Sequence, residues 1–467
     1  MNFLTTLLLV GAAGLGLLDL LRLRTGNRLA DAGLAWLVGC GWYGLAAMAL
    51  RFGLGVPYRA ATALAIALSP GVFALALRRV RPVRSPDEPS ARGITPDAAA
   101  GSGDGLARWL PRPWKFWLPV IAYVIAVTMV IVLHGINTPT HADDAIRVRA
   151  YTPFLAFEDD WPQAARNLLV AAGALPTFVP TVSWVLTGST DHFHVNCTVL
   201  AHLVAFLALA VGLGVRSRRP QRGWATAFAV LSLPFLVYHL TSTYQDAVVA
   251  LFAGATLLFV LEHARSGDTV DAARAFLLAA ALAMVKRDGL VVGATLAAAL
   301  LAHVVLRRRR ERIPVFMPVL HALAPVALYG VLTIALAGRE LAAPIVAQGI
   351  AHLESAAIEV GASATSLGWR AARGFGEALW QRGHAGMLYW ALPLAVVVRW
   401  RSVVCPAFAG PLVAALLVLA ETAVASIWLI PEYTINGSTV HRALLSPSVL
   451  LAIWLAALLT ADCRKAT

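Results

Sequence analysis

Four groups of ionisable residues stand at the ends of apolar segments, and two of them are mainly acidic. His141 is followed closely by Asp143 and Asp144, and Asp246 follows Tyr244 at the start of another apolar run. Adjacent carboxylates can act as a general base or bind a cation. A loop acid pair taken alone is more often simply solvated. The pair therefore gains a function only if other groups converge on it.

The remaining two groups are mainly basic. Lys286, Arg287 and Asp288 share one short turn, and His441 and Arg442 precede the last apolar run. A lysine ammonium binds phosphate as a point charge, and arginine presents a planar fork of donors to phosphate or carboxylate. The ordinary alternatives are a locally paired turn, a helix N-cap for an acid at the head of a span, and an arginine that extends to the membrane interface.

The amino-acid composition indicates that the chain lies largely in lipid. The chain has 467 residues, of which 59% are hydrophobic and 13% charged, whereas soluble domains carry roughly a quarter charged residues. The mean hydropathy is +0.72. The apolar runs are continuous and do not alternate, which favours membrane-spanning helices over a barrel. The net charge of +13 is accounted for by the loops, so no nucleic-acid partner is expected.

Thirteen apolar runs predict an all-α, polytopic transmembrane helix bundle of about 13 spans. They cover approximately 3–21, 33–50, 60–77, 116–134, 195–215, 223–240, 245–261, 274–285, 289–306, 314–337, 385–398, 406–430 and 443–460. Three spans fall in residues 1–79, and ten fall in a module covering 114–467. A Pro/Gly/Ser-rich linker at 80–113 separates them, and its composition predicts a disordered cytoplasmic segment.

Arginine and lysine residues predict the orientation of the spans. The segments predicted to be cytoplasmic hold 26 of the 38 basic residues; they are 22–28, 78–115, 216–222, 262–274, 307–312, 399–401 and 461–467. The N-terminus is then outside, the C-terminus is cytoplasmic, and all four ionisable groups face outward. Residues 135–194 become the first large outer loop. Pro176 and Pro180 interrupt its apolar part, so we expect interfacial helices there and not a span.

The position of Lys286 is unusual in this topology. The run 274–285 has only twelve residues, which as a helix reach about 18 Å, short of the far surface of a bilayer. The turn that follows is therefore predicted to be recessed in a protein cavity. Each charge at that depth costs roughly 2.5–3.5 kcal/mol on insertion scales. Such a cost indicates partners or a function for the turn.

The order of these groups resembles the GT-C superfamily of polytopic glycosyltransferases, which includes protein O-mannosyltransferases and bacterial aminoarabinose transferases. The pair Asp143-Asp144 resembles the Asp/Glu pair early in the first outer loop of that family, although it is Asp-Asp here. Asp246 resembles the acid that opens a later span. The resemblance covers residues 114–460 by pattern and spacing.

The basic groups extend the resemblance. The family carries a Thr-Lys-x-x-Gly-like turn, similar to Val285-Lys286-Arg287-Asp288-Gly289, in which Val285 takes the threonine position. A basic residue near the last outer loop of the family is matched by His441-Arg442. Three additional N-terminal spans precede the matched region.

The resemblance implies an inverting transfer of a sugar from a polyprenyl-phosphate donor to an acceptor hydroxyl at the outer face of a bacterial inner or plasma membrane. The acceptor would be a glycan, lipid or protein, and membrane lipids surround the enzyme. Asp143 or Asp144 would be the base, and Asp246 would orient the acceptor or help to hold a cation. The departing lipid phosphate would be stabilised by basic side chains, namely Lys286, Arg287, His441 and Arg442.

Further positions and a metal complete these expectations. We expect Tyr244, Asp288 and His141 to position the substrate. No cofactor is required by the sequence, but a divalent cation, Mg or Mn, is compatible with Asp143 and Asp246 as ligands.

Two alternative functions fit the same groups. An O-antigen-ligase-like or polymerase-like transferase would also use outer arginine and histidine on a lipid-linked glycan, without an early acid pair. A secondary transporter or flippase for a lipid-linked or anionic substrate would account for the short run 274–285, because transporters contain broken helices near the midplane.

Overall fold

The computed structural model of the protein describes residues 2–80, 109–138, 157, 174–188, 192–311, 364–380, 385–429, 434–435 and 440–461. Every regular element in these ranges is a helix, and the all-α prediction is confirmed. We number the helices α1 Asn2–Leu20, α2 Arg28–Met48, α3 Ala60–Val80, α4 Trp114–Asn137, α5 Ala174–Thr187, α6 His192–Arg216, α7 Pro220–Leu231, α8 Pro234–Thr241, α9 Gln245–Ser266, α10 Thr269–Leu282, α11 Arg287–Glu311, α12 Ala364–Trp380, α13 Leu388–Val398, α14 Trp400–Val403, α15 Pro406–Val424, α16 Val440–Ala443 and α17 Leu445–Leu459. Short π-helical turns continue α2 through Ala49–Gly53 and α15 through Ala425–Leu429.

Nine helical stretches in the described ranges are long and apolar enough to cross a membrane. They contain α1, α2, α3, α4, α6, α9, α11, α15 and the α16–α17 pair. The protein is thus a multi-pass membrane protein, as its hydropathy predicted. The run 314–337 and residues 81–108 of the linker lie outside the described residues, so the count of thirteen spans stays a prediction.

Three predicted spans differ from continuous crossing helices. The run 223–240 is divided into α7 and α8, which meet at an angle of 76°. Pro234 begins α8, and because proline lacks an N–H and its ring clashes with the preceding turn, α7 cannot continue through it. Helix α10 has 14 residues and α13 has 11. Both are shorter than the roughly 20 residues that a crossing helix needs.

The helices differ in how much of each is enclosed. In the apolar stretch of α9, 94% of the residues are buried inside the protein, against 11% in α4. Helix α9 packs on α10, α17, α6 and α15, whereas α4 contacts mainly α7, α6 and α8. One hydrophobic cluster extends from Val10 in α1 to Leu458 in α17. Helix α9 therefore forms the centre of the bundle, and its two ends position the charged groups described below.

Helix α5 corrects the prediction of interfacial helices in residues 135–194. Its residues Phe178, Thr181, Val182 and Trp184 are completely buried. The helix packs against α2, α1, α3 and α6. The apolar residues 174–187 thus occupy the interior of the bundle, because their non-polar surface is covered by protein and not by lipid headgroups.

The basic segments predicted to be cytoplasmic meet at one end of the bundle. Arg274 donates through Nε to the carbonyl of Leu23 at 2.8 Å and is also hydrogen-bonded to Arg24 O. Arg216 donates to Asp271 Oδ2 at 2.7 Å, and Asp271 also pairs with Arg274. We call this the Arg274 end. The opposite end, where α9 begins, is the Asp246 end.

Further contacts bring the other basic segments to the Arg274 end. Arg78 approaches Asp19 at 3.4 Å, and Arg399 donates to Leu459 O at 3.3 Å. Arg307 donates to the carbonyl of His263 at 3.2 Å. The structure therefore gives the grouping of loops that the charge count predicted.

Glycines allow α1 and α2 to approach closely. A Cβ atom added at Gly14 would collide with the carbonyl oxygen of Ala35, and one added at Gly39 would collide with Val10 O. Small residues that admit a neighbouring backbone are typical of helix pairs in membranes. Gly11, on the same helix as Gly14, has no neighbouring atom within 4 Å of an added Cβ.

The replacement Gly14→Ala is expected to destabilise the protein by about 1–3 kcal/mol, because the backbones of α1 and α2 must separate to admit a methyl group. Denaturation of the purified protein in detergent, followed by circular dichroism, would measure the loss. Gly11→Ala is the matched control and should leave the midpoint unchanged or slightly raised. Equal midpoints for the two variants would contradict the close packing of α1 on α2.

Candidate active site

Asp246 lies between two cations at the Asp246 end. Lys286 Nζ donates to Asp246 Oδ1 at 2.9 Å. Arg442 donates to Asp246 Oδ2 from Nε at 3.0 Å and from Nη2 at 2.9 Å. The side chains of Asp246, Lys286 and Arg442 are 12%, 19% and 24% exposed. Lys286 and Arg442 are 40 and 196 positions away from Asp246 in the sequence. The three residues thus form one mostly buried cluster, which we call the Asp246 cluster.

Local structure places each member of this cluster. Asp246 occupies the first turn of α9, where the helix dipole favours an anion. The N-cap of α9 is Tyr244, which makes no side-chain capping bond. The carboxylate of Asp246 is bonded to the two cations. Lys286 lies in the turn between α10 and α11, and Arg442 lies in the short helix α16. The first turn of α9, the α10–α11 turn and the short helix α16 therefore meet at the N-terminal end of α9.

Asp288 adds an outer carboxylate. Its Oδ2 lies 3.4 Å from Lys286 Nζ, and its side chain is 64% exposed. Burial alone would lower the pKa of Lys286, but the neighbouring carboxylates of Asp246 and Asp288 outweigh it and hold the pKa above its ordinary value. The ammonium remains charged throughout the neutral range, and the stabilisation that it provides is lost only as pH rises through this elevated pKa.

Aromatic rings cover one side of the cluster. The guanidinium carbon of Arg442 lies 5.2 Å from the ring centroid of Tyr244, a distance typical of a cation–π contact. His239 is buried behind Tyr244, with ring centroids 4.8 Å apart. Phe235 contacts both His239, at 4.4 Å, and His441, at 5.8 Å. The bent helix α8 thus supplies part of the wall beside the charged groups.

Hydrogen bonds fix the described end of α4 beside this cluster. Thr138 Oγ1 donates to Thr241 O at 2.9 Å, and Asn196 Nδ2 donates to Thr138 O at 3.0 Å. Thr243 Oγ1 in turn donates to Asn196 Oδ1 at 3.1 Å. Thr243 immediately precedes Tyr244. Thr138, three residues before His141, therefore lies next to the N-terminal end of α9.

A further bond fixes the start of α5. Leu175 N donates to Met284 O at 2.8 Å, two residues before Lys286. Both described flanks of the segment that contains the predicted acid pair are consequently held near the Asp246 cluster.

The predicted site residues divide into three sets. Asp246, Lys286, Arg442, Asp288 and Tyr244 lie together. His441 is partly buried and is connected to them through Phe235. The third set, His141, Asp143 and Asp144, lies outside the described residues. The side chain of Arg287, at the start of α11, lies outside them as well.

Sequence analysis missed Asn196, Thr138 and Thr243, which connect α4, α6 and α9. The available signal was an asparagine inside the long apolar run 195–215, because a polar side chain in a span usually has a specific partner.

Metal binding at Asp246 has limited support from the described geometry. Both carboxylate oxygens accept hydrogen bonds from cationic donors, so a divalent ion there would compete with Lys286 and Arg442. In the part of the chain that the structure describes, no three His, Cys, Asp or Glu side chains are grouped closely enough to hold a metal ion. Asp143, the other predicted ligand, lies outside that part.

Comparison of the chain with protein-family models, curated proteins and solved structures finds no match. The fold and the Asp246 cluster together define a multi-pass helical membrane protein with a mostly buried cluster of charged side chains at one end of its bundle. Chemically, this cluster places two cations on one mostly buried carboxylate. Two such cations can stabilise an anion or developing negative charge.

Proposed function

We propose that the protein is a GT-C-like glycosyltransferase that moves a sugar from a polyprenyl-phosphate donor to an acceptor hydroxyl at the outer face of the membrane. The observation that carries this proposal is the convergence of Lys286 and Arg442 on Asp246 at the head of the central helix. Two cations bonded to the same carboxylate suit a departing phosphate, which gains negative charge as the sugar is transferred.

Asp246 has a positioning role in this proposal. It accepts hydrogen bonds from both cations, so it aligns their side chains before the donor arrives. A donor phosphate would compete with this carboxylate for the same donors. Lys286 is also close to Asp288, so the carboxylates of Asp246 and Asp288 balance the charges of Lys286 and Arg442. Arrival of a phosphate shifts this balance and engages Lys286 and Arg442 with the leaving group.

The base of the reaction is assigned to Asp143 or Asp144. Asp143 follows Thr138 by five residues, and five residues span at most about 18 Å. Thr138 is itself bonded to Thr241, three residues before Tyr244, and to Asn196, which accepts a bond from Thr243. The length of chain therefore permits a carboxylate of the pair to reach a substrate bound at the Asp246 cluster. The acceptor oxygen would attack the anomeric carbon, its proton would pass to the carboxylate, and the bond to the lipid phosphate would break.

Expression of the protein in a bacterial host, followed by mass spectrometry of lipid-linked sugars and envelope glycans, tests this function. We expect a new glycan or lipid species, heavier by one sugar, together with consumption of a polyprenyl-phosphate sugar. A Lys286→Met variant that inserts normally should not produce it, because the leaving phosphate loses one of its two cations. Identical glycan profiles in cells with the wild-type protein and cells with an empty vector would contradict the proposal.

One observation favours a transporter as the second candidate. The broken pair α7–α8 is bent by 76°, and its second half contributes Phe235 and His239 to the wall of the Asp246 cluster. Interrupted helices beside a charged centre are typical of secondary transporters. Reconstituted vesicles separate the two candidates: movement of a lipid-linked or anionic solute without a covalent product would favour transport.

A further inference from the structure

A second charged cavity lies at the Arg274 end, on the opposite side of the bundle from the Asp246 cluster. Its volume is about 990 Å³, and it opens between the ends of α6, α9, α11 and α15. Four arginines line it, and they come from three different parts of the chain: Arg219, Arg222, Arg265 and Arg307. This volume is within the range of pockets that bind small molecules.

Among the described residues that line this cavity, arginines outnumber acids. Glu262 is the one acidic side chain among its described lining residues. Its carboxylate is already shared by two cations, since it lies 3.4 Å from Arg265 and 3.8 Å from Arg216. Asp271, the nearby buried acid, pairs with Arg216 and Arg274. Both of these described acids are therefore already engaged by arginines.

Arg265 is the central side chain of the cavity. It is only 17% exposed, and its guanidinium carbon lies 5.2 Å from the ring centroid of Phe408. Its Nη2 atom is buried and has no hydrogen-bond partner among the described residues. Buried donors in folded proteins nearly always have an acceptor. An acceptor supplied by a ligand would complete this arrangement.

The rim of the cavity is partly apolar. Leu306 and Val404 line it, and they are 64% and 53% exposed. Leu306 lies near the end of α11, and Val404 lies in the segment before α15. Arginines that merely set membrane orientation would extend into water, whereas Arg265 is enclosed between Phe408 and Glu262.

We propose that this cavity binds a phosphate group, supplied by the headgroup of an anionic phospholipid or by a soluble phosphate compound. Arginine forks match the geometry of phosphate oxygens. The cationic floor would hold the phosphate, and the apolar rim at Leu306 and Val404 would accommodate the chains of a lipid. This site is independent of the glycosyltransferase proposal, because it lies at the other end of the bundle and shares no residue with it.

Cysteine labelling provides a direct measure of occupancy. Cys405 lines the cavity and is partly exposed, whereas Cys40 and Cys197 are buried. In a full-length Cys463→Ser variant, Cys405 is the reactive reporter. We would measure its reaction rate with a maleimide in neutral detergent, then add phosphatidylglycerol, phosphatidylcholine or inorganic pyrophosphate. A ligand that covers the thiol should slow labelling by 1 + [L]/Kd, or about tenfold at ten times Kd.

The three probes distinguish the sources of the phosphate. Protection by phosphatidylglycerol alone assigns an anionic lipid, and protection by pyrophosphate assigns a soluble phosphate compound; phosphatidylcholine should protect little. Protection should disappear in Arg265→Gln and in Arg265→Gln with Arg307→Gln, but persist in Arg370→Gln, which removes an exposed arginine of α12.

The single variant keeps the test informative if the double variant is unstable, because Arg307 also caps the carbonyls of His263 and Ala264. Labelling that neither phosphatidylglycerol nor pyrophosphate slows would overturn the proposal. Protection that persists in Arg265→Gln at an unchanged Kd would do so as well.

Discussion

Replacement of Asp246 by alanine is expected to lower the free energy of unfolding by about 3–5 kcal/mol, the range measured when one partner of a buried ion pair is removed. The carboxylate is 12% exposed and accepts hydrogen bonds from both Lys286 and Arg442. Without it, two like charges face each other in surroundings of low polarity. Equilibrium denaturation of the purified protein in mixed micelles, monitored by circular dichroism, would measure the change.

Asp288→Ala is the matched control for this prediction. It removes a carboxylate from the same lysine, but Asp288 is 64% exposed and its ion pair is 3.4 Å long. Exposed pairs contribute about 0–1 kcal/mol, so the midpoint should move little. In the double variant Asp246→Ala with Lys286→Met, part of the loss should be recovered, because one of the two cations is absent. If Asp246→Ala and Asp288→Ala destabilise the protein equally, the Asp246 cluster is not the buried centre described above.

Hydropathy predicted where the helices of this protein lie, but it did not predict where a helix is interrupted. The long runs correspond to α1, α2, α3, α4, α6, α9, α11, α15 and α17, because twenty apolar residues in lipid have few options other than a helix. The run 223–240 is equally apolar, yet it is bent at Pro234. Hydropathy averages over a window and is insensitive to a single residue that lacks an N–H.

Helix α5 shows a different limit of sequence reasoning. Its prolines Pro176 and Pro180 indicated an irregular, interfacial segment, but Pro180 lies inside a helix that other helices enclose. Whether an apolar helix of 14 residues lies against lipid or against protein depends on the partners that surround it. Those partners, α1, α2, α3 and α6, are distant in sequence, and no local pattern specifies them.

The Asp246 cluster was predictable in part. Counting charged loops placed Asp246, Lys286 and Arg442 at one end of the bundle, and the structure brings them together there. Their direct pairing did not follow from the count. It requires that α9, the α10–α11 turn and α16 be neighbours around one axis. Lys286 follows the short helix α10 and is only 19% exposed, while the depth in the membrane that the twelve-residue run 274–285 implied stays a prediction.

The polar connection through Asn196 was not predicted. An asparagine at this position could equally have faced solvent, because the run 195–215 begins near the membrane surface. The structure instead uses its amide to join Thr138 to Thr243. This connection matters for the site, since it fixes the point from which the chain continues toward Asp143.

The double replacement Asp143→Asn with Asp144→Asn is expected to abolish sugar transfer, with a loss of at least about 10²–10⁴-fold, the contribution of a positioned general base. An amide keeps the size of each side chain but cannot accept the hydroxyl proton. Single variants would identify the base: the residue whose loss matches that of the double variant takes the proton. Product formation would be followed by mass spectrometry of envelope glycans and, once the donor is known, by its release of lipid phosphate.

Two measurements keep this prediction separate from a loss of folding. The denaturation midpoint of Asp143→Asn with Asp144→Asn should equal that of the wild type, and the amount of protein in the membrane should be unchanged. An Asp97→Asn variant, in the segment 80–113, is a control with the same chemical change in a region assigned no catalytic part, and its activity should be normal. Full activity in the double variant would remove the base from Asp143 and Asp144. The Asp246 cluster could then still bind a phosphate, but the proton would have to leave by another group, and the O-antigen-ligase-like reading, which needs no early acid pair, would become the better account.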